Sequence, residues 1–456
     1  MTILWGAAGQ PDLWAARQQM ALSLGWHIIV ACFGVGFPAL VVAAEAIGIR
    51  RKDADAIRLA RRWSKVMAVL FAVGAVSGTI LSFELGILWP GLMGTFGDVW
   101  GLPFAIEGIA FFIEAIFVGI YLYGWDRLAP RLHVLCGVPI VVAGVASAWF
   151  VVTANAWMNQ PAGFDIEHYL ATGVVRNVDP WAAMFNPATP PQTTHMVLAA
   201  FMVAGFGTAA VYAAGMLRGR RDRYHRLGFG LAFTVAAVIT PVQIGVGDWL
   251  ARFLADNQPL KLAALEGLER TQAGAPLTWG GIYVDGEVRY GITIPRGLSL
   301  LAEHDPDAVV AGLDIAPPDE RPPVGVVRTA FQMMVGIGIG LLVLAAWFGI
   351  AWWRRRSLPR SRWFLRAAVA AGPLAALALE AGWVATEVGR QPWIVYGVMR
   401  VDEAVTPAPG IRLGYFALIV VYAVLTVGTI YVLRRVARAG DDGGDDVVPQ
   451  TGAGQS

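Results

Sequence analysis

Nine long apolar stretches separated by polar segments organise this chain of 456 residues. A membrane-spanning helix needs about 20 mainly apolar residues, so each stretch predicts one transmembrane helix. The predicted spans are 20–47, 64–89, 102–125, 132–158, 192–217, 227–247, 326–352, 363–388 and 411–433. Ahead of the first span, Leu13, Trp14 and Arg17 predict a short interfacial helix. The fold class is therefore predicted to be an all-α integral membrane protein with nine transmembrane helices.

Arginine and lysine divide the connecting segments into two classes. Cytoplasmic loops hold the positive excess in membrane proteins. Basic residues number six in 48–63, two in 126–131, five in 218–226 and five in 353–362, and three more follow the last span. The short segments between these hold at most two. The alternation predicts an N-terminus outside the membrane and a cytoplasmic C-terminus.

One connecting segment, residues 248–325, is much longer than the others and is predicted to lie on the outer side. Loops beyond about 12–15 residues are usually functional. Residues 258–266 read as a helix, and residues 282–294 alternate around Asp285-Gly286, which is a hairpin signal. We therefore expect a structured outer segment.

The spans and the outer segment divide the chain into four parts. A six-helix part covers residues 1–247, and the outer segment covers 248–325. A three-helix part covers 326–438. Residues 439–456 are rich in Gly and Asp and are predicted to be disordered.

Composition agrees with a membrane protein and narrows the chemistry. The chain is 56% hydrophobic and 15% charged, whereas soluble proteins have about 25% charged residues. A net charge of +2 gives no reason to expect nucleic acid as a partner. Cys32 and Cys136 lie in apolar spans, so neither a disulfide framework nor a thiolate metal cluster is expected. Without a CxxCH motif, any haem would be held by its ligands alone.

Two histidines and a methionine lie within the spans, toward the predicted outer side. They are His27, His195 and Met334. A His–Met pair is an established axial set for electron-transferring haem iron. The alternative for each histidine is a hydrogen bond between helices. Met333, next to Met334, is expected to be a packing residue.

The third span carries two acids, Glu107 and Glu114. Seven residues are close to two helical turns, so both carboxylates share one face about 10 Å apart. This spacing indicates a path for protons into the membrane. The alternative is a pair of protonated acids that hold neighbouring helices together.

Glu387 lies at the end of the eighth span, in the sequence GWVATEVGRQPW. A carboxylate close to hydrocarbon costs roughly 2.5–3.5 kcal/mol at mid-membrane, so it calls for a partner such as a metal centre, a proton path or a cation. Arg390 follows three residues later, which also allows an ordinary ion pair at the helix end.

The outer segment holds Lys261 and Glu266 on its predicted helix. Oxidation of a hydroquinone needs a base for the hydroxyl proton and a cation for the developing phenolate. These two residues are of suitable types. The alternative is a pair of solvated charges.

Eight features in order make the chain resemble subunit I of the bd-type quinol oxidases, from about residue 17 to residue 435. They are RQQMALSLGWH, AIEGIAFFIE, GWDRL, NAWMNQPAG, His195 at the start of the fifth span, QPLKLAALEG, FQMMVG and GWVATEVGRQPW. Each motif is weak alone, but eight in order are specific.

The resemblance implies three haems. A low-spin haem b would be held by His195 and Met334. A high-spin haem b and a haem d would be served by His27, Glu387 and the neighbourhood of Glu107. Trp383, in the same motif as Glu387, is counted among the cofactor-binding residues.

The resemblance also assigns functions to the remaining candidates. The segment 248–325 would be the quinol-oxidising segment, with Lys261 and Glu266 at its family positions. Glu114 would lie on the proton path. The partners implied are ubiquinol or menaquinol, O2, membrane lipid, a second subunit and a small single-helix subunit.

Some residues depart from the family pattern. Gln332 stands where family members often have Arg, two residues before the axial Met, and Asn159 stands where many have Gln. The short outer segment and the sequence SFELGILWP resemble the branch described as cyanide-insensitive. The third haem is therefore left open between d and b.

The function expected is a terminal oxidase subunit of the bacterial inner membrane, electrogenic without proton pumping. Two alternatives remain. A proton-coupled transporter would use Glu107, Glu114 and Glu387 as a relay without any redox centre. A quinone-linked b-type cytochrome would never meet oxygen.

Overall fold

The computed structural model describes residues 12–439, which form fourteen α-helices, two short 3₁₀ turns and three two-stranded sheets. The long helices are α1 (Leu13–Arg51), α2 (Ala54–Leu88), α3 (Pro90–Gly124), α4 (Pro130–Asn159), α7 (Thr189–Leu217), α8 (Arg223–Asn257), α11 (Val324–Arg355), α12 (Arg362–Val388) and α14 (Ile411–Ala439). The short helices are α5 (Ile166–Thr172), α6 (Pro180–Met184), α9 (Pro259–Glu266), α10 (Gly297–Glu303) and α13 (Val401–Ala404). The strands are β1 (Gln272–Ala273), β2 (Leu277–Val284), β3 (Glu287–Ile294), β4 (Val309–Val310), β5 (Trp393–Val395) and β6 (Met399–Arg400).

Nine helices within this range are long and apolar enough to cross a membrane, which confirms the predicted number. Several extend beyond the predicted spans. Helix α2 begins at Ala54 because Asp53 caps it, accepting hydrogen bonds from the amides of Asp55 and Ala56. Helix α8 continues to Asn257, past the predicted end of the sixth span at residue 247. Of the predicted disordered tail, residues 439–456, all but residue 439 lie outside the described range.

The predicted interfacial helix at the start of the chain is wrong as a separate element. Leu13 opens α1, and the helix runs without a break to Arg51. Leu13, Ala15 and Ala16 are buried against other parts of the protein. Burial of this apolar surface stabilises the additional turns, so residues 13–19 continue the first span as one helix.

Four helices form a ring. Helix α7 packs on α8 and α12, and α11 packs on the same two helices, so α7 and α11 occupy diagonal corners. A group of phenylalanines fills one end of this four-helix ring. The centroids of the aromatic side chains are 4.8 Å apart for Phe233 and Phe348 and 5.5 Å apart for Phe206 and Phe233. Phe206 lies eleven residues after His195, about 16 Å farther along α7. The aromatic group therefore closes the end of the ring that is remote from His195.

Small residues bring the ring and α1 into close contact. A Cβ on Gly36 of α1 would lie 2.7 Å from the Cβ of Ala204, and one on Gly205 would lie 2.9 Å from the Cβ of Ala236. Helices in lipid associate largely through such close packing. A larger residue at Gly36 or Gly205 would therefore separate the helices.

The outer segment has the predicted helix and hairpin. Strands β2 and β3 pair antiparallel up to Val284 and Glu287, with Asp285 and Gly286 as the two turn residues. Both turn residues have positive φ, 52° and 83°, as a type I′ hairpin turn requires. The prolines at residues 317–323 precede α11, as expected.

Arg328, in the second turn of α11, fastens the outer segment to the membrane helices. Its guanidinium donates to the carbonyls of Glu266, Thr278 and Gly280, each at 2.7 Å. The residue is 1% exposed. One buried cation thus joins the end of α9 and strand β2 to α11.

Arg328→Met should loosen the outer segment, because three carbonyls lose a charged donor. Hydrogen bonds to charged groups contribute about 1.5–3 kcal/mol each. We expect residues 267–323 to become several-fold more sensitive to protease in membrane vesicles. Arg296→Met is the control, since the Arg296–Asp307 pair is exposed. Equal cleavage of the Arg328→Met variant and wild type would contradict this assignment.

Candidate functional site

His27 lies in the interior of α1 with one ring nitrogen engaged. Its Nδ1 is 2.8 Å from the hydroxyl of Ser77 on α2. A Cβ on Gly78 would lie 3.1 Å from Cε1 and 3.6 Å from Nε2 of His27. Gly78 therefore keeps space beside Nε2, the nitrogen that remains available to a ligand. Sequence reasoning missed Ser77, which has no motif of its own.

His195 and Met334 lie on the diagonal helices of the ring. His195 is on α7 and is partly buried, and its Nδ1 is buried without a hydrogen-bond partner among residues 12–439. Met334 is on α11, and its Sδ would lie 2.9 Å from a Cβ on Gly382 of α12. Histidine and methionine are an established ligand pair for haem iron, and these two residues, on diagonal helices of the ring, would hold a haem.

The two neighbouring methionines differ in environment. Met333 is 39% exposed on the outside of the helix bundle. Met334 is partly buried and faces α12. This geometry favours Met334 as the ligand.

Gln332, which departs from the family pattern, has a partner in the outer segment. Its Oε1 accepts a hydrogen bond from the Gly280 amide at 2.9 Å. Gln332 therefore adds to the attachment of strand β2 that Arg328 provides.

Glu387 pairs with residues of two elements at the end of α12. Arg390 donates to one carboxylate oxygen at 2.7 Å, and the amide of Asn155 on α4 donates to the other. The ion pair expected from the spacing is thus present. The Nε and Nη1 of Arg390 are buried without a partner among the described residues, so this end of α12 still has donors for an anionic group. Trp383, one turn earlier, packs against the helix core.

Lys261 reaches the same place from α9. Its Nζ donates to Oδ1 of Asn159, and its Cγ would lie 3.2 Å from a Cβ on Gly389. The side chain is buried, so the alternative of a solvated charge is wrong. Burial lowers the pKa of Lys261 to about 7; the Arg390 charge also lowers it, and Glu387 opposes them. The structure therefore unites Lys261 with the Glu387–Arg390 pair, although 126 residues separate Lys261 from Glu387.

Glu266 ends α9 and is 6% exposed. Burial raises the pKa of this carboxyl to about 7, against the opposing effect of the Arg328 cation. Its Oε2 is buried without a hydrogen-bond partner in the described part of the chain. The carboxyl is thus positioned to exchange a proton near neutral pH.

Glu107 and Glu114 both face α4. Ser147 donates to Glu107 at 2.8 Å. Three residues earlier on α4, a Cβ on Gly144 would lie 3.5 Å from Oε1 of Glu114. The two acids thus lie along the seam between α3 and α4, with Glu114 about 10 Å farther along α3.

His133, a third histidine in a membrane helix, has a complete set of partners. Its Nδ1 lies 2.6 Å from Oε1 of Glu45, and its Nε2 donates to the carbonyl of Tyr121 at 2.8 Å. The Tyr121 hydroxyl also donates to Glu45. Both ring nitrogens are engaged, so His133 joins helices and has no nitrogen free for iron.

The donor set fits haem better than a bare metal ion. Within residues 12–439, no group of three or more His, Cys, Asp or Glu could hold a metal ion. Structural metal sites need about four protein ligands, whereas haem iron needs only one or two. Single candidate ligands on separate helices, such as His27, His195 and Met334, would meet the second requirement.

Comparisons with known proteins cover almost the whole chain, and all of them match the same family of proteins. A model of the cytochrome bd terminal oxidase subunit I family matches residues 15–441. A Bacillus subtilis (strain 168) protein provisionally named cytochrome bd menaquinol oxidase subunit I is 39% identical over 431 residues, 92% of this chain and 96% of that protein. Cytochrome bd ubiquinol oxidase subunit 1 of the same organism is 31% identical over 447 residues, 94% of each chain. The structure of bd oxidase from Geobacillus thermodenitrificans matches with a TM-score of 0.88 at 39% identity, covering 95% of this chain and 100% of that one.

Met334→Leu or His195→Ala should remove the absorption of a six-coordinate haem while the protein still inserts, since insertion depends on hydropathy and haem capture on ligands. Reduced-minus-oxidised spectra of purified membranes provide the measurement. Met333→Leu is the matched control and should leave the spectrum unchanged. If Met333 is required and Met334 is not, the ligand assignment is wrong.

Proposed function

Because the chain belongs to the cytochrome bd terminal oxidase subunit I family, we propose that it oxidises quinol beside α9 and delivers the electrons to O2 through haems held in its helices. It is a multi-pass protein of the bacterial inner membrane and a quinol:oxygen oxidoreductase subunit. The observation that carries the residue-level proposal is the diagonal placement of His195 and Met334, with Lys261 brought to the outer end of α12.

The low-spin haem b is assigned to His195 and Met334. Bound haem iron supplies one-electron transfer, and iron with an open position also binds oxygen. With His195 and Met334 both as ligands, the iron would have no open position, so this site would pass electrons and exclude oxygen. Gly382 contributes by leaving space for the Met334 thioether.

The high-spin haem b and the haem d, or a third haem b, are assigned to His27, Glu387 and the neighbourhood of Glu107. Trp383 is also assigned to cofactor binding. Ser77 fixes the His27 ring through Nδ1 and leaves Nε2 for iron. Each Glu387 oxygen accepts one hydrogen bond and keeps a lone pair for a ligand bond. The unpaired donors of Arg390 suit a haem carboxylate.

Lys261 and Glu266 act on the quinol. The Glu266 carboxylate accepts a hydroxyl proton as the quinol is oxidised, and the Lys261 ammonium stabilises the developing phenolate. Oxidation to quinone releases two protons and two electrons. Asn159 orients Lys261 by accepting a hydrogen bond from its Nζ.

Protons for water formation are proposed to come from the cytoplasm along the seam between α3 and α4. Glu114 passes them outward to Glu107, which Ser147 holds in place. Quinol protons leave on the outer side, as the arginine distribution implies. Each electron is therefore matched by one proton that crosses much of the membrane, so turnover is electrogenic without a pump.

The complex is proposed to include a second subunit and a small single-helix subunit, with ubiquinol or menaquinol, O2 and membrane lipid as its other partners. The family match supports the oxidase over a proton-coupled transporter, which gives no role to Met334. It also supports the oxidase over a quinone-linked cytochrome that never meets oxygen.

The pH profile of quinol oxidation should be bell-shaped around neutrality. Glu266, with a pKa raised to about 7, must be deprotonated, so the rate falls at lower pH. Lys261, with a pKa lowered to about 7, must be protonated, so the rate falls at higher pH. Glu266→Gln should lower kcat/KM and remove the acidic limb, and Lys261→Arg should move the alkaline limb upward.

The measurement is kcat/KM for quinol between pH 5.5 and 8.5, about 1.5 units on either side of the two pKa values. All haem signals should persist in both variants. Glu287→Gln, an exposed acid on the same outer segment, is the control and should retain the wild-type profile. A flat wild-type profile across neutrality would exclude these roles.

Glu114→Ala should slow oxygen reduction and charge movement together, while quinol still reduces the low-spin haem. Charge movement during turnover builds a membrane potential, against which one charge costs about 2.3 kcal/mol per 100 mV. A voltage-sensitive dye in vesicles measures this potential. Glu303→Ala, an exposed acid outside the membrane helices, is the control. Turnover without a potential, or release of clearly more than one proton per electron, would contradict the scheme.

A further inference from the structure

Four polar residues meet between α1, α2 and α14, outside the sites described above. Gln19 and Ser23 of α1 lie against the carboxylate of Glu84 on α2, and Tyr422 of α14 lies against Ser23. All four are buried, with 8%, 0%, 4% and 2% exposure in the order Gln19, Ser23, Glu84 and Tyr422. We call this group the outer polar cluster.

The outer polar cluster is rich in unpaired atoms. Gln19 Oε1, Ser23 Oγ, both Glu84 oxygens and the Tyr422 hydroxyl have no well-formed hydrogen bond to any residue of the described chain. Buried polar atoms in proteins are nearly always paired, with protein or with ordered water. Ser23 and Gln19 are near enough to Glu84, and Ser23 to Tyr422, for weak contacts, but none of these contacts has the geometry of a full hydrogen bond. Five such atoms on three helices therefore indicate a bound species that donates and accepts hydrogen bonds.

The chemistry of the cluster favours water. Carboxylate and amide oxygens accept hydrogen bonds, whereas the serine and tyrosine hydroxyls can donate or accept. A buried water makes about three hydrogen bonds to such mixed groups. A bulky apolar ligand would leave the same atoms unpaired.

The cluster is aligned with the candidate ligand His27. Gln19, Ser23 and His27 follow at intervals of four residues, so they share one face of α1. Glu84 and Ser77, the partner of His27, are seven residues apart on one face of α2. Three residues after Ser23 on α1, the indole of Trp26 donates a hydrogen bond to Thr426 of α14 at 2.8 Å, which joins the two helices beside the cluster. The polar face therefore continues toward His27 and is closed beside it.

We propose that the outer polar cluster binds water and forms a hydrated passage between the outer surface and the His27 site, with Glu84 as its main acceptor. The passage lets product water leave the oxygen-reducing site without crossing the α3–α4 seam, and this role rests on the proposed function. The water site itself depends only on the four side chains.

Hydroxyl-radical footprinting of the intact complex tests the water site, because radiolysis of bound water labels adjacent buried side chains. Tyr422 should be labelled several-fold faster than Tyr121, which is equally buried but donates to Glu45. Glu84→Leu should lower Tyr422 labelling toward that of Tyr121, whereas Glu84→Gln should retain it. If Glu84→Leu fails to assemble, Ser23→Ala takes its place and should lower the labelling in part.

Equal labelling of Tyr422 and Tyr121 in wild type would overturn the proposal, as would undiminished Tyr422 labelling in the leucine variant. Protection of Tyr422 by sodium relative to choline would show a cation in the site and would also overturn it.

The passage is tested by the rate at which exchangeable protons near the high-spin haem are replaced in D2O, followed by electron–nuclear double resonance. Glu84→Leu should slow this exchange several-fold, and an unchanged rate would exclude the passage. Absence of any high-spin haem signal would refute the proposed function instead, while Tyr422 labelling would still report on the water site.

Discussion

A polar side chain inside a membrane protein must find a partner, because hydrocarbon offers none. The placement of the outer segment follows from this constraint. Arg328 is buried near the start of α11 and is paired by three carbonyls from α9 and β2. Since α9 is held there, Lys261 lies beside Glu387 and Arg390, so this proposed quinol residue adjoins the end of α12. The proposed electron path thus begins at a position set by one buried cation.

The same constraint separates structural residues from candidate ligands. His133 has both ring nitrogens engaged, by Glu45 and by the carbonyl of Tyr121, so it joins α1, α3 and α4. His195 is partly buried, and its buried Nδ1 has no hydrogen-bond partner among residues 12–439. The proposed haem would supply a partner for this histidine.

Sequence reasoning recovered what depends on local pattern. Nine apolar stretches predicted nine helices, and Asp285-Gly286 predicted the hairpin. It did not recover contacts between distant segments, such as Lys261 with Asn159 or the triple role of Arg328, because a loop arginine and a buried one look alike in sequence. The burial of Lys261 was also hidden, since an eight-residue helix carries too little periodicity to reveal its covered face.

The central claim is that this chain holds haem through individual side chains, each supplied by a different helix. Pyridine haemochrome analysis of the purified complex, together with near-infrared magnetic circular dichroism, tests it most directly. The account predicts haem b with the charge-transfer band of histidine–methionine ligation, and further haem, b or the chlorin d, without that band. A colourless complex, or a low-spin haem with bis-histidine ligation, would contradict it.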